Sequence, residues 1–127
     1  MKVIIDTCCW IDYLHPKGNQ KIKDIFHSII QNHTMVMVGP ILAELYSGNL
    51  SQANIQKLQT ARSIFDEPVL SDDDWIQAGQ LFYATKKKGY TTPLIDCTIA
   101  VIAQRLGAKV FTCDKHFEYF EIDELLF

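Results

Sequence analysis

The pattern of apolar segments predicts an α/β fold, a three-layer sandwich in which helices flank a mostly parallel central sheet. Three observations lead there. Short apolar runs such as Val3-Ile4-Ile5 and Met35-Val36-Met37-Val38 lack the polar alternation of a one-sided strand, as expected where both faces are covered. Longer segments between them carry apolar residues at helical spacing. At 127 residues, 48% hydrophobic and 21% charged, the chain has the size and apolar content of one domain, expected to span residues 1–127. No internal repeat, low-complexity tract or Pro/Gly/Ser-rich linker divides it.

The elements follow in order. Val3 to Ile5 form a buried strand that stops on Asp6, and Thr7 can cap a short helix carrying Trp10, Ile11 and Leu14, closed by Pro16-Lys17-Gly18. From Asn19 onward, Ile22, Ile25, Phe26, Ile29 and Ile30 make one amphipathic stripe. Met35 to Val38 is the second strand. Gly39-Pro40 then starts the helix "PILAELYSG", which places Glu44 about one turn beyond a strand's carboxyl end. Ser51 to Phe65 reads as a helix with Ile55, Leu58, Ala61 and Phe65 on one face, and Pro68 to Leu70 as a short strand.

Ser71-Asp72-Asp73-Asp74 opens a further helix with Trp75, Ala78 and Phe82 turned inward, and Lys86-Lys87-Lys88 complements its dipole at the far end. Thr92-Pro93 starts a helix with Ile95, Ile99, Ile102 and Leu106 on its apolar side, Asp96 in its first turn and Gly107 at its end. Lys109 to Thr112 is the next strand, followed by Cys113-Asp114. A final strand-like segment is expected at Phe120 to Ile122.

The first apolar run is broken by Asp6 and Asp12 before it could form a signal-peptide core or a membrane span, so a cytoplasmic location is expected. Cys8, Cys9, Cys97 and Cys113 lack disulfide-framework and C-x-x-C spacing, and are expected as reduced packing residues. The net charge of −3 at first argues against a nucleic-acid partner.

Asp6 and Asp114 end two strands, while Glu44 and Asp96 occupy first helical turns. Ligand sites of parallel sheets form at the carboxyl ends of strands, and all four carboxylates can be brought to that edge. Singly, each acid is as well explained as a cap or a solvated charge. Together they are harder to dismiss, because Glu44 and Asp96 lie within the apolar segments "LAELY" and "LIDC", where a charge without a partner is costly. Clustered carboxylates repel, so they raise pKa values or recruit cations, and hard oxygen donors at a half-open site select Mg2+ or Mn2+.

These residues carry a family resemblance. Asp6 with Thr7 after the first strand, Glu44 in "PILAELYSG", Asp96 in "LIDCTIAVIAQRLGAKVFT" and Asp114 in "TCDKHF" resemble the successive acidic motifs of the PIN-domain nucleases, and the compact length resembles the VapC-type toxins of toxin–antitoxin pairs. The resemblance implies a metal-dependent endoribonuclease with Asp6, Glu44, Asp96 and Asp114 as catalytic and metal-binding acids, one or two Mg2+ or Mn2+ ions, and Thr7 and Thr112 in support. It implies in-line attack of a metal-activated water on an RNA phosphodiester, leaving a 5′-phosphate and a 3′-hydroxyl. It also implies a cognate antitoxin protein and a homodimer. Where many relatives carry another acid, two residues past the last aspartate, this chain has His116, expected as a surface or packing residue.

With the four site acids set aside, the rest of the chain is close to neutral, which weakens the charge objection to RNA. Lys86, Lys87 and Lys88 could then contact phosphates. Two rivals stand beside this reading. A receiver-like phosphoacceptor signalling domain would fit Lys115 beside Asp114, but needs a phosphoacceptor aspartate after a middle strand. A non-catalytic PIN-like RNA-binding module would not need four intact acids.

Overall fold

The computed structural model describes residues 1–122 and 125–127. Strand β1 (Lys2–Ile5) lies between β2 (Thr34–Val36) and β3 (Lys109–Phe111), parallel to both, so its Val3, Ile4 and Ile5 are at most 2% exposed. This explains the run without polar alternation: the central strand of a helix-covered parallel sheet has no wet face. The register pairs Ile4 with both Val36 and Val110. Among the described residues six α-helices surround the sheet: α1 (Thr7–Leu14), α2 (Gln20–Asn32), α3 (Gly39–Ser47), α4 (Gln52–Arg62), α5 (Asp72–Lys87) and α6 (Leu94–Leu106). A 3-10 helix, Lys115–Phe120, follows β3.

Helix α6 packs against β1 and β3, with Cys97 to Ala103 buried, and α5 lies along it. Helices α1 and α2 join through Trp10, edge-on to Phe26, and Tyr13, stacked on Phe26 with ring centroids 3.9 Å apart. The turn between them requires Gly18, because a Cβ there would lie 1.8 Å from the carbonyl oxygen of Asp12. Helix α6 stops at Gly107, whose φ of 62° suits a residue without Cβ.

Several expectations shift. Asp6, rather than Thr7, is the N-cap of α1, its carboxylate accepting from the Thr7 amide. The second strand ends at Val36, and α4 ends at Arg62, so that Phe65 reaches Trp10 and Asp66 pairs with β2. Pro68 to Leu70 is therefore not a strand; the edge contact is a single bridge between Val36 and Asp66. At the opposite edge the bridge joins Val110 to Leu126, whereas Phe120 ends the 3-10 helix and Glu121 turns the chain with a φ of 54°.

Trp75 is 51% exposed, not inward. The cause is Asp74: it closes a capping box with Ser71 and receives Arg105 in a two-point ion pair (2.8 and 3.0 Å), which turns it inward and its neighbour outward. Ile11 and Ile95 also point outward, at 57% and 37% exposure.

Candidate functional site

The acidic edge forms where the β1–β3 seam ends. Asp6 continues that seam, its amide donating to the Phe111 carbonyl at 2.9 Å, so two adjacent parallel strands deliver Asp6 and the Thr112–Asp114 segment to one place. The Thr112 hydroxyl donates to Asp6 Oδ2 at 2.8 Å and accepts from the Asp114 amide at 2.9 Å, holding the two strand ends in a fixed relation. On the other side the Thr7 hydroxyl donates to Glu44 Oε1 at 3.0 Å, tying α3 to the start of α1. Asp96 comes from the first turn of α6, whose buried face directs it inward.

Asp6 and Asp96 are 5% and 7% exposed, whereas Asp114, Glu44 and His116 are half-buried. Burial raises the Asp6 carboxyl above its usual range, opposed by its hydrogen bonds from Thr112 and Thr7 and reinforced by the charge of Asp114. Asp96 is pushed up to about 7, first by burial, then by the charges of Asp6 and Asp114; His116 opposes the shift and Glu44 adds to it. The charges of Asp6, Asp114 and Glu44 thus all reach Asp96. Asp96 Oδ2 is buried without a hydrogen-bond partner. A buried carboxylate oxygen with no donor, facing other carboxylates, is the condition a cation relieves.

His116 is where the structure departs most from expectation. Asp114 caps the 3-10 helix by accepting from the His116 amide at 2.9 Å, and this brings the imidazole back over the acids. Its Nδ1 stands 2.8 Å from Asp114 Oδ1 and 3.4 Å from Asp96 Oδ2, in an orientation that makes no hydrogen bond with either. One ligand atom each from Asp96, Asp114 and His116 lie within 4.8 Å of one another. The available signal was its place two residues after Asp114 in "TCDKHF". Beyond it, Tyr119 lies 6.2 Å from the His116 ring and stacks on half-exposed Tyr90 at 4.3 Å, a pair that helical periodicity did not flag.

The cysteines also change place. Cys8 and Cys113, 105 residues apart in sequence, meet sulfur to sulfur because the β1 and β3 ends adjoin, and the Cys113 amide donates to Cys8 Sγ at 3.2 Å. Cys9 and Cys97 are buried packing residues as expected, and burial with the charges of Asp6 and Asp12 pushes the Cys9 thiol up to about 12. Of the lysine run, Lys86 and Lys87 are exposed at the end of α5, while Lys88 pairs with Glu121 at 2.7 Å.

The PIN domain family model matches residues 3–122 of this sequence. The chain belongs to the PIN domain family. Among characterised relatives it is 29% identical over 121 residues to ribonuclease VapC11 of Mycobacterium tuberculosis, covering 91% of this chain and 89% of the relative. The PIN fold is shared with VapBC2 from Rickettsia felis, solved bound to a promoter DNA fragment (TM-score 0.78, 20% identity, 99% of this chain and 96% of that one). It is also shared with VapC20 of Mycobacterium tuberculosis, a toxin that cleaves the sarcin–ricin loop (TM-score 0.73, 12% identity, 91% and 92% covered). The parallel three-stranded sheet and its flanking helices are the architecture these PIN proteins have in common with the present chain.

Proposed function

We propose that this protein, a single PIN domain over residues 1–127, is a divalent-metal-dependent endoribonuclease and the toxin of a type II toxin–antitoxin pair. The observation that carries this reading is the buried Asp96 carboxylate, whose Oδ2 has no hydrogen-bond partner and which lies beside Asp114 and His116, with Asp6 and Glu44 close enough to raise its pKa. Its donor set fits Mg2+ or Mn2+, held by Asp96, Asp114, Asp6 and Glu44 as one or two ions. Bound there, the cation would supply Lewis acidity toward a phosphate oxygen and lower the pKa of a water.

The chain's own residues position and recognise. Thr112 keeps Asp6 and Asp114 at a set separation, and Thr7 holds Glu44 against the same edge. Removal of Asp6 and Asp96 from solvent strengthens the field each feels and gathers negative charge that a cation must balance. Lys86 and Lys87 can meet RNA phosphates, and the Tyr90–Tyr119 pair near His116 offers an aromatic face for an unpaired base. Kinship to VapC11 supports RNA as substrate, and the VapBC assemblies among its structural neighbours support an antitoxin partner.

Two apolar recesses of about 600 and 580 Å³ give such partners, and a second copy in a homodimer, surface to cover. One is lined by Pro40, Leu42, Trp75 and Ile95, the other by Tyr13, Ile30, Ile64 and Phe65. Among the described residues no helix is long and apolar enough to cross a membrane; a cytoplasmic site of action accords with an RNA target.

The test is cleavage of single-stranded and hairpin RNAs by purified protein with Mg2+ or Mn2+, against EDTA and against Asp96→Asn. Metal-dependent cutting that Asp96→Asn loses by roughly 100-fold or more is expected. Metal-loaded protein that cuts no RNA and whose expression leaves growth unaffected would overturn the nuclease reading. Full activity in Asp96→Asn would overturn the site assignment.

A further inference from the structure

We propose that His116 is an inner-sphere nitrogen ligand of the cation held by Asp96 and Asp114, and that it shifts the site's preference from Mg2+ toward Mn2+. This rests on the assignment of those acids as a metal site. It goes beyond that assignment by giving the imidazole a bond to the ion and the site a selectivity.

The geometry argues for it first. Two ligands bonded to a first-row divalent ion at about 2.1 Å lie about 3.0 Å apart when cis in an octahedron and about 3.4 Å apart in a tetrahedron. Nδ1 of His116 stands 2.8 Å from Asp114 Oδ1 and 3.4 Å from Asp96 Oδ2, and one ligand atom from each of the three residues lies within 4.8 Å of the others, close enough for one ion to touch all three. A second observation is independent of spacing: Nδ1 and Asp96 Oδ2 are both buried atoms without hydrogen-bond partners. Polar atoms withdrawn from water are ordinarily paired, and two of them facing one gap share a need that one cation meets.

The backbone then explains why the imidazole is there. Because Asp114 accepts from the His116 amide, its carboxylate and the ring two residues on are fixed as a unit at the start of the 3-10 helix. The adjacent Phe117 is 1% exposed and anchors that helix in the core, so the ring is not a swinging surface group.

Selectivity follows from ligand chemistry. Mg2+ takes oxygen donors in a near-ideal octahedron and keeps several waters, whereas the first-row divalent ions accept nitrogen donors with an affinity that rises along the series beginning at Mn2+. A carboxylate at this position would favour the hard ion. The histidine trades one negative charge and one oxygen for a softer neutral donor.

The experiment uses full-length, EDTA-stripped protein and the metals alone. Mn2+ is titrated and followed by electron paramagnetic resonance, Mg2+ is measured by competition, and pulsed spectra of the Mn2+ form are searched for nitrogen hyperfine coupling. The wild type should show that coupling; His116→Ala should lose it together with at least tenfold of the Mn2+-over-Mg2+ preference. His116→Asp, which restores an oxygen donor, should bind Mg2+ more tightly and show no coupling.

Absence of nitrogen coupling in Mn2+-loaded wild type, the result expected if His116 only pairs with Asp114, overturns the proposal even if a variant does not fold. Coupling or metal preference unchanged in His116→Ala overturns it as well. Mn2+ bound with nitrogen coupling by a protein that cleaves no RNA would instead sink the nuclease reading and leave the ligand assignment intact.

Discussion

The acidic edge should make the metal-free protein less stable as pH rises, and divalent metal should remove that loss. Asp96 carries a carboxyl raised from 3.8 to about 7 in the fold, so the native state binds its proton more tightly than the unfolded chain does. Between those two values the native state holds more protons, and stability falls with rising pH. The span of roughly 3 pH units at about 1.4 kcal/mol each sets an upper bound of about 4 kcal/mol, fully expressed above pH 7. Asp6, raised for the same reason, acts with the same sign. Asp74 and Glu67 are shifted the other way, so their contributions vary only below their ordinary range near pH 4, beneath the window from pH 4.5 to 7.5 in which Asp96 loses its proton.

The assay is chemical or thermal denaturation of EDTA-treated protein across that window, with and without saturating Mn2+. For a chain of this size the full effect is a fall in Tm of roughly 15 °C. Asp96→Asn should remove most of the slope, and Mn2+, which binds only the ionised native form, should reverse it. Stability that is flat or rises from pH 4.5 to 7.5 without metal, or a slope that survives Asp96→Asn, would refute the claim that these carboxylates are forced together in the fold.

Two further outcomes follow from individual contacts. Thr112→Val keeps the shape but removes the hydroxyl that joins Asp6 Oδ2 to the Asp114 amide; Mn2+ affinity should fall about 10-fold or more while far-UV circular dichroism is unchanged, and unaltered Mn2+ titration would show that Thr112 does not order the site. Asp74→Ala should cost about 2–3 kcal/mol in urea denaturation, because it opens the Ser71 capping box and strands Arg105, with the half-exposed guanidinium keeping the loss below that of a fully buried pair; a loss under about 0.5 kcal/mol would contradict that account.

The strand–helix alternation was legible in the residues because periodicity and caps are local. Val3 to Ile5 had to be a strand covered on both faces, Asn19 had to start a helix with Phe26 and Ile29 inside, and Gly107 had to end one. The acids were legible for a related reason: a carboxylate in "LIDC" or after "VII" is anomalous in its own apolar neighbourhood, without reference to any other part of the chain. Where several local choices were nearly equal in energy, tertiary contacts decided. Trp75 and Asp74 compete for the inward face of one helix, and the ion pair from Arg105, 31 residues away, settles it in favour of the acid. Pro68 to Leu70 has strand-like composition, but the edge of β2 is taken by Asp66.

What the sequence determined alone, then, is the α/β class, the order of most elements and the residues too costly to bury without purpose, since each depends on the properties of a few adjacent side chains. What only the tertiary structure decided is which of those residues face one another. The meeting of Cys8 with Cys113 and the bracing of Asp6 and Asp114 by Thr112 depend on β1 and β3 lying side by side with more than a hundred residues between them, and the placement of His116 over Asp96 depends on the 3-10 helix packing against α6. Distance in space across such an interval is set by the packing of the whole core, and no local pattern of residues encodes it.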